Sequence, residues 1–309
     1  MEPPVVHLDG IEPRRIEVGH LRADWTFVGP AAGSVELGMR RIRIESGWFA
    51  TPLHVHAHDE ETFFVLDGSG LSVQDDRTYA ISSGDCIVHC EGKEAHTLRA
   101  GDDGLDVLVF GASRERSSGA RLPRVGMTWS ARSWFETGGG KSPFEREAEL
   151  GPPETPEPAD RPGSIVNVDE AERRISEREN HRGSWRRLGR SAGAVRTGLN
   201  HITLEPGQTG APPHCHSAEE ELFVVLEGGG TLLLGDDEHA IRPRDVVARP
   251  AGTGVAHAFA AGESGLTFLA YGPKEPNDIC YYPRSNKIYF RGVGVITRVE
   301  KLDYWDGED

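Results

Sequence analysis

The sequence is poor in the features that mark several protein classes. Its 309 residues include only four cysteines, Cys86, Cys90, Cys215 and Cys280, with no CxxC pair among them. That excludes a disulfide-stapled scaffold and a cysteine-rich zinc module. Free thiols in a reducing cytosol are the simplest reading, so a cytoplasmic location is expected. No apolar run is long enough to span a bilayer. The opening "MEPPVVHLDGIEPRR" lacks the basic-then-apolar layout of a secretory signal. Basic charge is also scarce, with 34 Lys+Arg against 49 Asp+Glu and a formal net charge of -15. Short clusters such as Arg40-Arg41 and Arg186-Arg187 do not build a basic stripe. Neither nucleic acid nor a membrane is therefore expected as a partner, and a small-molecule substrate is.

What the chain does contain is a copy of itself. At a spacing of 160 residues, Trp25 matches Trp185, Gly29 matches Gly189, Gly38 matches Gly198 and Ile42 matches Ile202. His54, His56, Glu61 and Gly68 match His214, His216, Glu221 and Gly228 in the same way, as does Asp85 with Asp245. After Gly92 and Gly252 the offset grows by one, so His96 matches His257 and Gly111 matches Gly272. A period this long is not a solenoid repeat; it indicates two homologous domains in tandem. The boundaries expected are 1–141 for the first domain and 164–309 for the second. Between them, 142–163, "SPFEREAELGPPETPEPADRPG", is acidic and Pro-rich and suits an extended linker. A short Gly run, "TGGGK" at 137–141, precedes it.

Within each repeat the patterning is that of strands. "MRRIRIE" (39–45) and "LNHITLE" (199–205) alternate polar and apolar residues. "ETFFVLDG" and "ELFVVLEG" are apolar runs closed by Gly, and turn residues recur at short intervals. An all-β fold, barrel or sandwich, is expected in each half. One helix is expected, at "DEAERRISEREN" (169–180).

Side chains two apart on a strand share a face, so His54 and His56 point together, as do His214 and His216. Cys215, between the second pair, points away from them. Glu61 and Glu221 lie five residues beyond the second histidine, an offset that a straight strand would place on the opposite face. The polar "AHDE" and "SAEE" between them can turn, which brings each carboxylate back to the imidazoles and starts a new strand. Glu61, Phe63 and Val65, and likewise Glu221, Phe223 and Val225, then share its inner face. His58 falls where that turn begins. A further histidine comes from a later strand in each half, His96 and His257. The candidate metal ligands are thus His54, His56, Glu61 and His96 in the first domain and His214, His216, Glu221 and His257 in the second. Three imidazoles and a carboxylate suit one divalent transition metal per domain: Fe, Mn, Ni, Zn or Cu.

"HVHAHDEETFFVLDG" and "HCHSAEEELFVVLEG" resemble the first motif of the cupin family, HxH followed by three or four residues, Glu, six more and Gly. "RPAGTGVAHAF" (249–259) resembles the second motif, PxGxxH, with a longer step from Gly252 to His257. "HCEGKEAH" (89–96) departs further, lacking the Pro. The C-terminal "YYPRSNKIYFRGVGVITRVEKLDYWDGED" is similar to the tail of a group of uncharacterised bacterial two-domain cupins. The resemblance implies a tandem pair of jelly-roll (double-stranded β-helix) barrels, at most one metal per barrel, and a possible homodimer paired through sheet edges.

Three functions fit. A metal-dependent oxygenase acting on a small aromatic or enol substrate is expected first, because the inner faces are apolar. The alternative is a redox-neutral metal-dependent decarboxylase, isomerase or lyase. Bicupin oxalate decarboxylases are an example of that class, but their usual Arg beside HxH has no counterpart here, Pro52-Leu53 and Pro212-Pro213 occupying those places. A non-enzymatic binding or storage cupin is the third. Glu60, Glu219 and Glu220 read as solvated turn residues, and His89 as a surface or strand-end residue. His7 and His201 read as scattered histidines, and Tyr281, Tyr282 and Arg284 as an arm against the other barrel or a second subunit.

Overall fold

A computed structural model describes residues 5–112, 119–130, 133–136 and 140–308. Thr137, Gly138 and Gly139 of the Gly run lie outside the described residues. The fold is all-β, two jelly-roll barrels in tandem. In the first, strands Asp85–His89, Glu61–Gln74, His96–Ala112, Leu37–Ile44, Leu21–Phe27 and Arg14–Val18 lie side by side in that order, and Arg77–Ser82 pairs with Glu61–Gln74. In the second, the same order is taken by Asp245–Arg249, Glu221–Leu234, His257–Pro273, Thr197–Leu204, His181–Arg186 and Arg173–Arg178. A smaller four-stranded sheet adjoins the histidine strand of each barrel. Val55–His56 pairs with Ala120–Leu122 in one, and Cys215–His216 pairs with Ile279–Tyr282 in the other.

The long strands bend to wrap the barrel, and the motif glycines sit at the bend. The pairing of Glu61–Gln74 with His96–Ala112 shifts register between Val65 and Asp67 and again between Gly68 and Gly70. Gly68 has φ +83°, and a Cβ there would lie 2.2 Å from the Gly104 carbonyl oxygen; Gly228 repeats this against Gly265. Only a residue without a side chain fits so close a crossing.

The apolar runs "ETFFVL" and "ELFVVL" are continuous because both faces of the strand are covered. Phe63 and Val65 pack inside their own barrel, whereas Phe64 belongs to a core that lies between the two barrels. That shared core takes Leu8, Met39, Phe110, Leu199, Leu222 and Tyr271, among others. Phe110 stacks on Tyr271, its counterpart in the other repeat, with ring centroids 4.8 Å apart. Each such side chain, fully buried, is worth about 1.5–3 kcal/mol, so separating the barrels is costly.

The barrels also exchange strands. Val6–His7, which precede the first barrel, pair with Val246 and Asp245 of the second. Ile165–Asn167, which precede the second, pair with Ile87, Cys86 and Asp85 of the first. His7 is therefore not a scattered histidine: its Nδ1 lies 2.8 Å from Asp245 Oδ1, where Asn167 Nδ2 donates to Asp85 at 2.8 Å in the other barrel.

Two local expectations are corrected. Arg173–Arg178 is an edge strand paired with His181–Arg186, not a helix. Across 169–180 only Ala171 and Ile175 are apolar, so no helix face exists to bury, while the Glu179–Asn180 turn lets the segment pair instead. The segment expected to be extended begins with a helix, Pro143–Leu150. Ser142 accepts from the Glu145 N–H and Glu145 reaches back to the Ser142 N–H, with Pro143 in the first turn, a complete capping box. Beyond it the chain is pinned along the first barrel: Ala159 N–H donates to the Thr78 carbonyl at 2.9 Å, and Arg161 forks onto the Asp85 carboxylate at 3.0 and 2.8 Å.

Candidate metal centres

In the first barrel the structure brings His54, His56, Glu61 and His96 together, one ligand atom from each lying within 4.8 Å of all the others. The turn expected after His56 is present, and strand Glu61–Gln74 starts afresh at the carboxylate. His96 opens its own strand and is held to His54 by a pair of backbone hydrogen bonds, 2.8 and 3.2 Å. The longer loop after Gly92 thus still delivers the fourth residue.

The three Nε2 atoms converge on one oxygen. His54, His56 and His96 Nε2 lie 3.8, 3.2 and 3.1 Å from Glu61 Oε2. His54 Nδ1–H donates to the Pro52 carbonyl at 3.0 Å, which fixes the tautomer and leaves the Nε2 lone pair facing inward. Burial pushes Glu61 up, but the surrounding imidazoles, His56 foremost, outweigh it and hold the carboxyl well below its ordinary range. Burial, reinforced by His89, pushes His96 down to about 3. A carboxylate ringed by inward nitrogens, with His56 Nε2 buried and unpartnered, is a donor set short of a cation. The residues fit one divalent metal.

The second barrel repeats the plan with changes. His214, Glu221 and His257 form one close group, and His214, His216 and Cys280 form another. His257 and His216 Nε2 lie 3.0 and 3.4 Å from Glu221 Oε2. Both nitrogens and that oxygen are buried without a hydrogen-bond partner. Burial pushes His214 down to about 4. Glu221 is held at about 2, burial being outweighed by the adjacent His257 and by His216 and His214. His216 Nδ1–H donates to Asp278 Oδ2 at 2.7 Å. Asp278 is in turn fixed by the Ala218 and Glu219 N–H groups at 2.9 and 3.2 Å. Sequence reading missed Asp278, because 62 residues separate it from His216.

Several side chains stand elsewhere than expected. His89 is buried, not a surface residue, and its ring stacks flat on His96 at 3.8 Å. Tyr282 is not an arm against another barrel; it stacks on His214 at 5.7 Å. Glu60, Glu219 and Glu220 are not solvated, being 3%, 4% and 1% exposed. Glu219 accepts from Glu275 N–H at 2.7 Å and pairs with Arg291. His58 is exposed, and only its carbonyl is engaged, by Arg196 at 2.7 Å.

The first centre opens into a cavity of about 480 Å³ walled by Trp25, Phe27, Phe63, Leu122, Trp129 and Phe144. Phe144 comes from the linker helix and packs against Trp25 at 6.1 Å. One guanidinium enters this wall: Arg40 Nη2 lies 3.7 Å from Glu61 Oε1, and the group sits over the Trp25 ring at 5.6 Å. Arg40 was legible only as half of a short Arg pair. In the second barrel its position is Asn200, and the equivalents of Leu98, Val107 and Leu122 are Phe259, Phe268 and Tyr282. Phe223, Phe259 and Phe268 fill that interior as an aromatic stack, with successive centroids 4.7 and 4.8 Å apart.

The family model described as the Cupin domain matches residues 40–110 and again 200–270. The chain carries two cupin domains in tandem. Solved bicupins share its fold at low identity. An oxalate decarboxylase from Bacillus subtilis, determined at pH 4.6, is 16% identical, with 88% of this chain and 76% of that chain covered and a TM-score of 0.58. The oxalate decarboxylase–formate complex from Lactobacillus farciminis is 14% identical, covering 88% of this chain and 86% of that one, with a TM-score of 0.59. A further Bacillus subtilis structure, 15% identical, with 88% of this cupin and 77% of that chain covered and a TM-score of 0.57, concerns the Mn(II) centres of that enzyme. No curated protein matches this cupin by sequence. Each of its barrels carries a histidine-and-glutamate set that can hold a divalent metal, and among the described residues no helix is long and apolar enough to cross a membrane.

Proposed function

We propose that the first barrel is a metal-dependent decarboxylase or related lyase for a small organic acid with an apolar or aromatic body. The observation that carries this reading is Arg40, a fixed cation on the wall of an otherwise largely apolar cavity, 3.7 Å from the Glu61 carboxylate. A guanidinium presents parallel N–H donors that match a carboxylate. The Trp25 face beneath it holds the charge without neutralising it. The aromatic wall lowers the local dielectric, and in such surroundings a charge–charge contact is strengthened.

A divalent cation held by His54, His56, Glu61 and His96 would supply Lewis acidity toward a substrate oxygen. The side chains do the rest. Arg40 holds the carboxylate, and the aromatic wall takes the body of the molecule. Cleavage of the C–C bond releases CO₂ and leaves the electron pair on the remaining fragment, which takes one proton from solvent at the cavity mouth. Atoms and charge balance without an oxidant.

The oxygenase expected first from the sequence is set aside in favour of its redox-neutral alternative. The solved bicupins of similar fold are titled oxalate decarboxylases, one of them with Mn(II) centres. Pro52-Leu53 stand where the resemblance to bicupin oxalate decarboxylases implies an Arg beside HxH, and Arg40 brings a cation from a different strand, Leu37–Ile44. The apolar wall and a cavity of about 480 Å³ favour an acid bulkier than oxalate.

The test is turnover of a panel of aromatic and enol-forming carboxylic acids by protein loaded with Mn(II), Fe(II) or Zn(II). CO₂ release and oxygen consumption are followed together. CO₂ release with no oxygen uptake is expected. Oxygen uptake in step with turnover would restore the oxygenase, and inertness of every metal form would favour a binding protein.

A further inference from the structure

The two centres differ in one donor. Cys280 lies directly across from His216 in the pairing of Cys215–His216 with Ile279–Tyr282, so the two side chains share a face. A ligand atom from each of Cys280, His214 and His216 lies within 4.8 Å of the other two. Cys280 is 2% exposed, and its thiol is hydrogen-bonded by Tyr282. In the first barrel the residue across from His56 is Ala120, which offers no donor.

We propose that Cys280 is a ligand of the second centre, which is thereby a mixed imidazole–thiolate site for a thiophilic cation such as Zn²⁺, distinct in metal preference from the first. Thiolate donors select Zn²⁺ and Cu⁺, whereas three imidazoles and a carboxylate also accept Mn²⁺ and Fe²⁺. A cation in this position has waiting partners beyond the thiol. His216 Nε2 is buried with no hydrogen-bond partner, and His257 Nε2 and Glu221 Oε2, likewise without one, form with His214 the adjoining close group. The His214 and His216 Nδ1 atoms are already engaged by the Pro212 carbonyl and Asp278, which leaves their Nε2 lone pairs available. On binding, the thiol gives its proton to solvent and the sulfur–metal bond forms. Cys215 cannot substitute, since it faces the other way beside His216, and Cys86 is buried in the core between the barrels. The aromatic filling of this interior agrees with a site that binds metal without admitting a bulky substrate. The inference does not depend on the reaction proposed for the first barrel.

Cobalt(II) reports thiolate ligation through a near-ultraviolet sulfur-to-metal charge-transfer band. Metal-free protein titrated with Co²⁺ should show that band. It should persist in His54→Ala/His56→Ala, which disables the first centre, and vanish in Cys280→Ala. Alanine is what the first barrel carries at that place, so the fold accommodates it. Zn²⁺ affinity of the second centre should fall at least about tenfold in Cys280→Ala, with the first centre unchanged. The proposal is overturned if Co²⁺ fills both centres without the band, if the band survives in Cys280→Ala, or if the second centre takes no metal.

Discussion

Glu60 and Glu220 are exchanged between the barrels. Glu60 accepts from the Val195 and Thr197 N–H groups at 2.7 and 3.0 Å and from the Thr197 hydroxyl at 2.6 Å. Glu220 accepts from the Val35, Glu36 and Leu37 N–H groups at 2.8, 2.6 and 2.9 Å. Each carboxylate, adjacent in sequence to a metal-site glutamate, thus closes a loop of the opposite domain. Replacing either with alanine orphans several buried donors, so Glu60→Ala and Glu220→Ala should each cost about 3 kcal/mol or more. Denaturant melts check this; midpoints equal to that of the parent protein would show that the exchange is not stabilising.

Metal content should divide by barrel. Glu61→Ala is expected to lose one metal equivalent per chain and Glu221→Ala the other, leaving roughly one of two in each case. Elemental analysis of protein purified without added metal reads this directly. Two retained equivalents in either variant would remove that glutamate from the ligand set.

Arg40 should govern recognition of the acid. Arg40→Ala removes a charge-assisted pair worth about 1.5–3 kcal/mol, so kcat/KM should fall about 10- to 100-fold. The loss should sit mainly in KM. Lysine at this position restores charge without the planar fork and should recover only part of it. Asn200→Ala, at the same place in the second barrel, should leave turnover unchanged.

His89 sets an acid limit on the metal-free protein. Burial pushes it down to about 3 from its ordinary value of 6.5. The folded state therefore keeps the ring neutral over a range where the unfolded chain protonates it. The stability it contributes is complete above pH 6.5 and is lost as pH falls from there toward 3. In that interval the parent protein should lose up to about 1.4 kcal/mol per pH unit more than His89→Gln. Urea titrations of the two apo proteins at several pH values give the difference. Parallel pH profiles would mean that His89 is not held neutral.

Asp278 positions rather than binds. It holds the His216 ring by a 2.7 Å hydrogen bond to Nδ1. Asp278→Asn should weaken metal at the second centre by about 10- to 100-fold and leave the first unchanged. Competition titration with a chromophoric chelator measures both sites.

The sequence by itself determined the architecture and the gathering of His54, His56, Glu61 and His96; in the second barrel it brought His214, Glu221 and His257 together, while His216 groups with His214 and Cys280. The repeat, at an offset that shifts by a single residue, pointed to two domains, and the two-residue periodicity with a polar turn before Glu61 and Glu221 placed the imidazoles and carboxylates on common faces. These are local consequences of strand geometry, so a linear pattern carries them. Only the tertiary structure decided what surrounds the rings. Arg40, Phe144, Asp278 and Cys280 reach their sites from strands, a helix or a loop outside the motif, and nothing in their own neighbourhoods marks them. Glu60, Glu219 and Glu220 read as solvated because a carboxylate beside a turn normally meets water; here the sister barrel or the C-terminal hairpin takes water's place. The expected helix at 169–180 failed for a related reason, since an edge strand is made by its neighbour's hydrogen bonds and not by its own composition.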